Sequence, residues 1–322
     1  MKKRIFLSFL ILLISVCMIN AQDIDSTINS ILQDYISTSN SNDAGILVGI
    51  IDNSTEISKI YSCGRITREN DLRLVCPASK PVISYIILNK KIDINATIDK
   101  WFPVENGYTK SNLITIKMLL SNTSGIMDYV GLFEKELKCT PLKTIETAYK
   151  NHELAFNPGD SILYSNTNFN IAGLILEKET GKHLNDLLNE YFKEIAPSIR
   201  MDDGYGNYPK GYSLWPYHFS QSGFAGGLIG NINDYLKMMA LISNQVEFEE
   251  MTNWVKEYNG IKYGLGLFGQ ENVVMYHGNS GANISFLLKI NAKIIYFHTT
   301  NETDFQRFQV YLEKLIPTLM QG

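Results

Sequence analysis

What most constrains this 322-residue chain is that strand-like sequence lies at its two ends and helical sequence lies between them. Near the N-terminus, "ILVGIID" (46–52) and "EISKIYSCG" (56–64) are apolar and β-branched, with Asn53-Ser54-Thr55 between them, a pattern that predicts an antiparallel hairpin. Toward the C-terminus, "GLGLFG", "ENVVMYHG", "ANISFLLKIN" and "AKIIYFHTTN" (264–301) form a second series of short strands. In the middle, "ITIKMLLSNTSG" (114–125), "LKTIETAYKN" (142–151), "NFNIAGLILEKETG" (168–181) and "HLNDLLNEYFKEI" (183–195) repeat apolar residues at three and four spacing. These are predicted helices, several ending at Gly, and "INSILQDYIST", "INDYLKMMALIS" (232–243) and "TDFQRFQVYLEKLIPTLM" add more. The order implies an α+β fold: an antiparallel sheet built from N- and C-terminal strands, flanking helices and an inserted helical lobe. The sheet lobe is expected over about 22–75 and 222–322, and the helical lobe over about 76–221, within one domain.

The first residues carry Lys2, Lys3 and Arg4, an uncharged apolar run from Ile5 to Ile19, and the small Ala21 before Gln22. This is the pattern of a signal peptide over 1–21, so an exported protein, periplasmic or extracellular, is expected over 22–322. The run is shorter than the roughly 20 apolar residues a membrane span needs, and no later run spans a bilayer. Cys17 follows Val16, a larger residue than lipoprotein processing prefers, so lipid anchoring is the weaker reading. With 29 basic against 33 acidic residues, nucleic acid is not an expected partner. Cys63, Cys76 and Cys139 lie beyond the leader, an odd number; a Cys63–Cys76 bridge and separate buried thiols are both open. The histidines at 152, 183, 218, 277 and 298 form no metal-binding pattern, and no cofactor is expected.

Four stretches have the character of site loops: "VCPASKP" (75–81), "LLSNTSGIMDY" (119–129), "FNPGDSILYSNTNFNIAGLILEKETGK" (156–182) and "YHGNSGANISFLL" (276–288). The first places Ser79 beside Lys80, the third places Tyr164 two residues before Asn166, and the fourth is a Gly-interrupted strand where backbone can approach a ligand. A passage from Asp202 to Ser222, including "YGNYPKGYSLWPYHF", is a long aromatic loop suited to lining a groove.

Taken in order, with "AGILVGIIDN", "TIDKWFPVENGYTKSNLITIKMLLSNTSGIMDY" and "SGFAGGLIGNINDYLKMM", these stretches resemble the serine β-lactamase and penicillin-binding-protein superfamily, in its class C-like and esterase-like branch. The resemblance implies a serine hydrolase that cleaves an ester, amide or D-peptide bond through an acyl-enzyme, its substrate a small molecule or peptide such as one from the cell wall. It implies Ser79 as nucleophile, Lys80 and Tyr164 as proton carriers, and Asn166 and His277 as substrate orienters. It also places His277, Gly278 and Asn279 at the family's K-T-G, with the amide of Asn279 or Ser280 as an oxyanion donor.

The family's S-x-x-K is not intact. Three residues before Lys80 stands Pro77, and three after Ser79 stands Val82. The segment from Lys80 to Pro103 is also short by about four residues, one helical turn. Ser79 can equally be a helix N-cap followed by Lys80 and Pro81, and Cys76, four before Lys80, can share its face. The departure motivates a second expectation, a catalytically impaired relative that binds a cell-wall peptide, glycan or protein partner in the retained cleft.

Overall fold

The computed structural model describes residues 21–65, 73–74, 79–133, 139–201, 222–270, 272–279, 283–302 and 304–321. The leader up to residue 20, with Cys17, lies outside these residues, as do Cys76, Pro77, Ser280 and almost all of the aromatic loop.

The strands are β1 (Gly45–Asp52), β2 (Ser58–Gly64), β3 (Arg73–Leu74), β4 (Arg200–Met201), β5 (Leu228–Gly230), β6 (Lys256–Tyr258), β7 (Ile261–Tyr263), β8 (Phe268–Gln270), β9 (Val273–Asn279), β10 (Ile284–Ile290) and β11 (Lys293–Thr300). The α-helices are α1 (Ala21–Ser37), α2 (Ser79–Asn89), α3 (Ile116–Leu120), α4 (Pro141–Ala148), α5 (Asn166–Thr180), α6 (Leu184–Phe192), α7 (Gly223–Gly226), α8 (Ile232–Ser243), α9 (Val246–Met251) and α10 (Phe305–Gln321). The main sheet has the order β2-β1-β11-β10-β9-β8-β7-β6, and β3-β5-β4 form a small second sheet. The two ends of the chain meet where β1 runs antiparallel to β11, from Gly45 opposite Thr300 to Asp52 opposite Lys293. The fold is therefore the α+β arrangement expected, because strands rich in Ile, Val and Phe bury both faces of one sheet between helices.

Alternation along the strands sorts their side chains. Tyr276 of β9 sits opposite Leu287, and Leu287 opposite Tyr296, whose ring packs 4.9 Å from that of Tyr235 on α8. His277 sits opposite Phe286, and Phe286 opposite Phe297, whose ring meets Phe308 on α10. Neighbouring residues on a strand point to opposite faces, so Tyr276 faces the α8 side and His277 the α10 side.

The sequence of α2 is apolar around most of its circumference, and the helix is buried from Ser79 to Leu88. A helix of that kind belongs in the core. Pro81 falls in its first turn, where a missing N–H leaves no intrahelical bond unmade. Gly266, at φ +73°, lets the turn after β7 lie on this helix: a Cβ there would stand 2.5 Å from Ser84 Oγ and 2.9 Å from the Lys80 carbonyl oxygen. Only glycine tolerates both that backbone angle and that approach. Cys63 is a free thiol in this structure, and Cys76, the other half of the bridge weighed above, lies outside the described residues.

Candidate functional site

Three segments converge on the first turn of α2. Its Lys80 is fully buried, and Nζ donates to Asn166 Oδ1 at 2.9 Å and to the Ala225 carbonyl at 2.6 Å. The same nitrogen lies 5.2, 5.4 and 5.8 Å from the ring centroids of Tyr164, Phe169 and Tyr276. Aromatic faces at this range attract a cation, and in a desolvated site the attraction reaches roughly 2 kcal/mol.

Each partner of Lys80 is placed by identifiable contacts. Ala225 reaches it because α7 presses onto α5: Gly173 has no side chain where Phe224 packs, and a Cβ there would fall 2.2 Å from the Phe224 ring. The Ala225 amide in turn donates to Asn170 Oδ1 at 3.2 Å. Asn166 opens α5, and the turn after α3 is stitched to this helix start. Asn122, at φ +59°, accepts on Oδ1 from the Ser165 amide and Asn168 Nδ2, while Ser124 Oγ donates to Asn168 Oδ1 at 2.7 Å. Asparagine adopts this left-handed angle more readily than most residues, since its short side chain bonds locally. The Met127 carbonyl accepts from both Ser165 Oγ and Thr167 Oγ1, and the Tyr129 amide donates to Thr167 Oγ1.

That zipper delivers Asp128. Its Oδ2 accepts from Asn166 Nδ2 at 2.9 Å, and its Oδ1 accepts from the amides of Asn166 and Val130, each at 3.2 Å. Burial pushes the Asp128 carboxyl above its ordinary value; the Val130 amide and the nearby Lys80 charge pull the other way. Tyr164 is 36% exposed, and its hydroxyl donates to Asn166 Oδ1 at 3.2 Å and lies 3.4 Å from the Tyr276 hydroxyl. Lys80, Asn166, Asp128, Tyr164 and Tyr276 thus form one hydrogen-bonded and aromatic group, half open to solvent at Tyr164. Its donors and acceptors suit a ligand carbonyl or amide, and the paired phenols can pass a proton between them.

The residues expected from sequence fall in different places. Lys80, Tyr164 and Asn166 are brought together. Ser79 is the first residue of α2, with Oγ buried and without a hydrogen-bond partner; it neither caps the helix nor bonds to Lys80 or Tyr164. Gly278 is buried opposite Ser285, on the Tyr276 face of the sheet, and Asn279 ends β9 opposite Ile284. The His277 ring lies on the other face, 5.9 Å from Phe286 in a stacked arrangement and 6.1 Å from Phe305. Burial and, second, the Lys80 charge lower its pKa to about 4, so the imidazole is neutral at pH 7.

Tyr276 and Asp128 were not singled out as site residues from the sequence. Tyr276 could have been found by alternation, since it shares a face with Gly278 while His277 does not. Asp128 stands inside a stretch noted as a site loop, but nothing in its spacing ties it to Asn166. Among the described residues no group of three or more His, Cys, Asp or Glu side chains could hold a metal ion, and no helix is long and apolar enough to cross a membrane.

Comparison with known proteins finds relatives of this chain. Penicillin-binding protein 4* of Bacillus subtilis (strain 168) is 29% identical over 133 residues, 38% of this chain and 29% of that protein. A D-aminopeptidase of Cereibacter sphaeroides is 28% identical over 166 residues, 45% of this chain and 30% of that protein. The chain thus spans under a third of the length of these relatives. The crystal structure of D-amino acid amidase from Ochrobactrum anthropi SV3, complexed with L-phenylalanine amide, superposes with a TM-score of 0.78 at 18% identity, covering 93% of this chain and 98% of that one. A family model described as Beta-lactamase matches residues 44–312, most of the chain. By that match, and by the fold it shares, this chain belongs to the Beta-lactamase family.

Proposed function

We propose that this protein is an exported member of its family that binds a small amide or D-peptide ligand in the Lys80–Tyr164–Asn166 cleft and forms no acyl-enzyme at Ser79. The observation that carries this reading is the Ser79 hydroxyl, sealed from solvent and bonded to neither Lys80 nor Tyr164. A nucleophile needs its base within hydrogen-bond reach and its substrate within contact. Three positions before Lys80 in the sequence, where the family's S-x-x-K would put the serine, stands Pro77, which has no nucleophilic atom. The ligand class is drawn from the relatives, named for D-peptide and D-amino acid amide chemistry, and a cell-wall fragment has that chemistry. The exported location is drawn from the basic, apolar and small-residue order of the first 21 residues.

The intact grouping of Lys80, Tyr164 and Asn166 favours a second reading, a serine hydrolase acting on the same amide or D-peptide bonds through an acyl-enzyme. Labelling separates the two. The protein is treated with a fluorescent penicillin and a fluorophosphonate and weighed intact, beside Ser79→Ala, while D-phenylalanine amide and a D-alanyl-D-alanine peptide are titrated by calorimetry. Binding without a covalent adduct is the expected result. An adduct present in the wild type and lost in Ser79→Ala overturns the first reading in favour of the second.

A further inference from the structure

The Asn166 carboxamide has two chemically opposite ends, and each end has one kind of neighbour. Its oxygen receives Lys80 Nζ at 2.9 Å and the Tyr164 hydroxyl at 3.2 Å. Its nitrogen donates to Asp128 Oδ2 at 2.9 Å. An ionised carboxylate only accepts, and an ammonium only donates, so one orientation of the carboxamide satisfies both and the flipped one satisfies neither. A flip would set NH2 against the Lys80 ammonium and an amide oxygen against the Asp128 carboxylate. Both contacts would then be repulsive and left without a matching partner.

Asp128 is itself held. Its other oxygen takes the amides of Asn166 and Val130, and the peptide links on either side of it are tied to α5 through the Met127 carbonyl and the Tyr129 amide. The backbone at Asp128 is therefore held in place, and a side-chain rotation that withdrew the carboxylate would give up all three of these hydrogen bonds.

We propose that Asp128 is a positioning residue of the cleft, fixing the sense of the Asn166 carboxamide so that Lys80 and Tyr164 both meet an acceptor oxygen. It acts through Asn166. The charged and titratable groups around the pair are Lys80 from α2, Tyr164 from the segment before α5, and Tyr276 from β9, with His277 on the far face of that strand. Ala225 on α7 contributes a carbonyl to Lys80. Burial of Asp128, which lifts its carboxyl above the ordinary value, agrees with a carboxylate enclosed by this shell. The consequence for ligand affinity rests on the amide-binding reading above, whereas the positioning itself does not.

The test uses the full chain labelled with 15N, following the Asn166 side-chain NH2 resonance, assigned by its loss in Asn166→Ala. In the wild type this resonance shifts as acid protonates Asp128, with a midpoint above the usual carboxylate range. In Asp128→Ala it moves to the position of a solvated carboxamide and loses its pH dependence. In Asp128→Asn, which keeps an accepting oxygen without the charge, it loses the pH dependence but stays closer to its wild-type position. Affinity for D-phenylalanine amide falls about tenfold in Asp128→Ala and is partly restored in Asp128→Asn. An Asn166 resonance unmoved by pH and unmoved in both variants overturns the proposal. If the wild type binds no amide but the resonance behaves as described, positioning stands and the ligand reading falls. A circular-dichroism melt screens for misfolding, and where Asp128→Ala fails to fold the Asp128→Asn spectrum decides alone.

Discussion

Among the described residues, Arg307 and Lys80 each lie against more than one aromatic ring, and they are treated differently. Arg307, at the start of α10, lies with its guanidinium 4.1 Å from the Tyr35 ring centroid and 5.5 Å from that of Tyr311. Its direct partners are the Glu302 carboxylate, itself bonded to the Tyr35 hydroxyl, and the Tyr35 carbonyl. Lys80 lies near the rings of Tyr164, Phe169 and Tyr276, donates to a neutral carboxamide and a main-chain carbonyl, and the carboxamide it meets is held on its other end by Asp128. The first arrangement neutralises its charge on the spot and joins α1 to α10. The second sets a buried ammonium against a carboxamide oxygen, a main-chain carbonyl and aromatic faces beside the partly exposed Tyr164.

The largest expected effect comes from breaking the neutralised pair. Glu302→Ala strands Arg307 with its side chain 14% exposed, and removing one member of a buried pair costs roughly 3–5 kcal/mol. Urea unfolding should show this as a lower midpoint with an unchanged slope, while amide binding in the cleft is unaffected. A loss below about 1 kcal/mol would mean that the clasp is no more than a surface ion pair, and the contrast with Lys80 would fail.

A smaller effect tests the boundary between the two regions. His277 lies on the α10 face, yet burial and, second, the Lys80 charge hold its pKa at about 4 in the folded chain, below the ordinary 6.5. The unfolded chain then binds a proton that the folded one refuses. Stability is full above pH 6.5 and falls as the pH drops toward 4, by at most about 3 kcal/mol. His277→Phe, extending the ring cluster of Phe268, Phe286 and Phe305, should flatten stability over that window, measured by urea unfolding at pH 7, 5.5 and 4.5. Equal pH slopes in wild type and variant would show that the imidazole titrates normally.

The same strand shows how far the sequence could be read. The helices predicted over 168–181 and 232–243 correspond to Asn166–Thr180 and Ile232–Ser243, because periodicity and Gly or Asn stops report directly on burial and termination. The pairing of β1 with β11 was inferable from strands that need partners at both ends of the chain. Lys80, Tyr164 and Asn166 were legible because each lies in a segment with its own pattern. Tyr276 was passed over in favour of its neighbour because a histidine draws attention as chemistry, whereas which of two adjacent strand residues enters the cleft depends on register with β10. Asp128 depends on a contact with Asn166 across 38 positions, and no local spacing encodes it. The state of Ser79 hinges on how the helix begins, and a residue count does not show that its hydroxyl ends up enclosed.

The smallest effect falls on Ser79 and bears most directly on function. A hydroxyl enclosed without a partner has given up water and gained nothing, so Ser79→Ala should leave stability unchanged or raise it by up to about 1 kcal/mol. A serine that capped α2 would instead cost about 1 kcal/mol on replacement, and a serine bonded to Lys80 would cost a comparable amount while exposing the amine's loss of an acceptor. The sign separates a hydroxyl that has a partner from one that has none, and it does so without any knowledge of the ligand. Thermal unfolding of Ser79→Ala beside Glu302→Ala, on one preparation, sets the two ends of the scale. A destabilised Ser79→Ala would mean that the hydroxyl does reach a partner in solution, and Lys80 would then be a base with a nucleophile beside it.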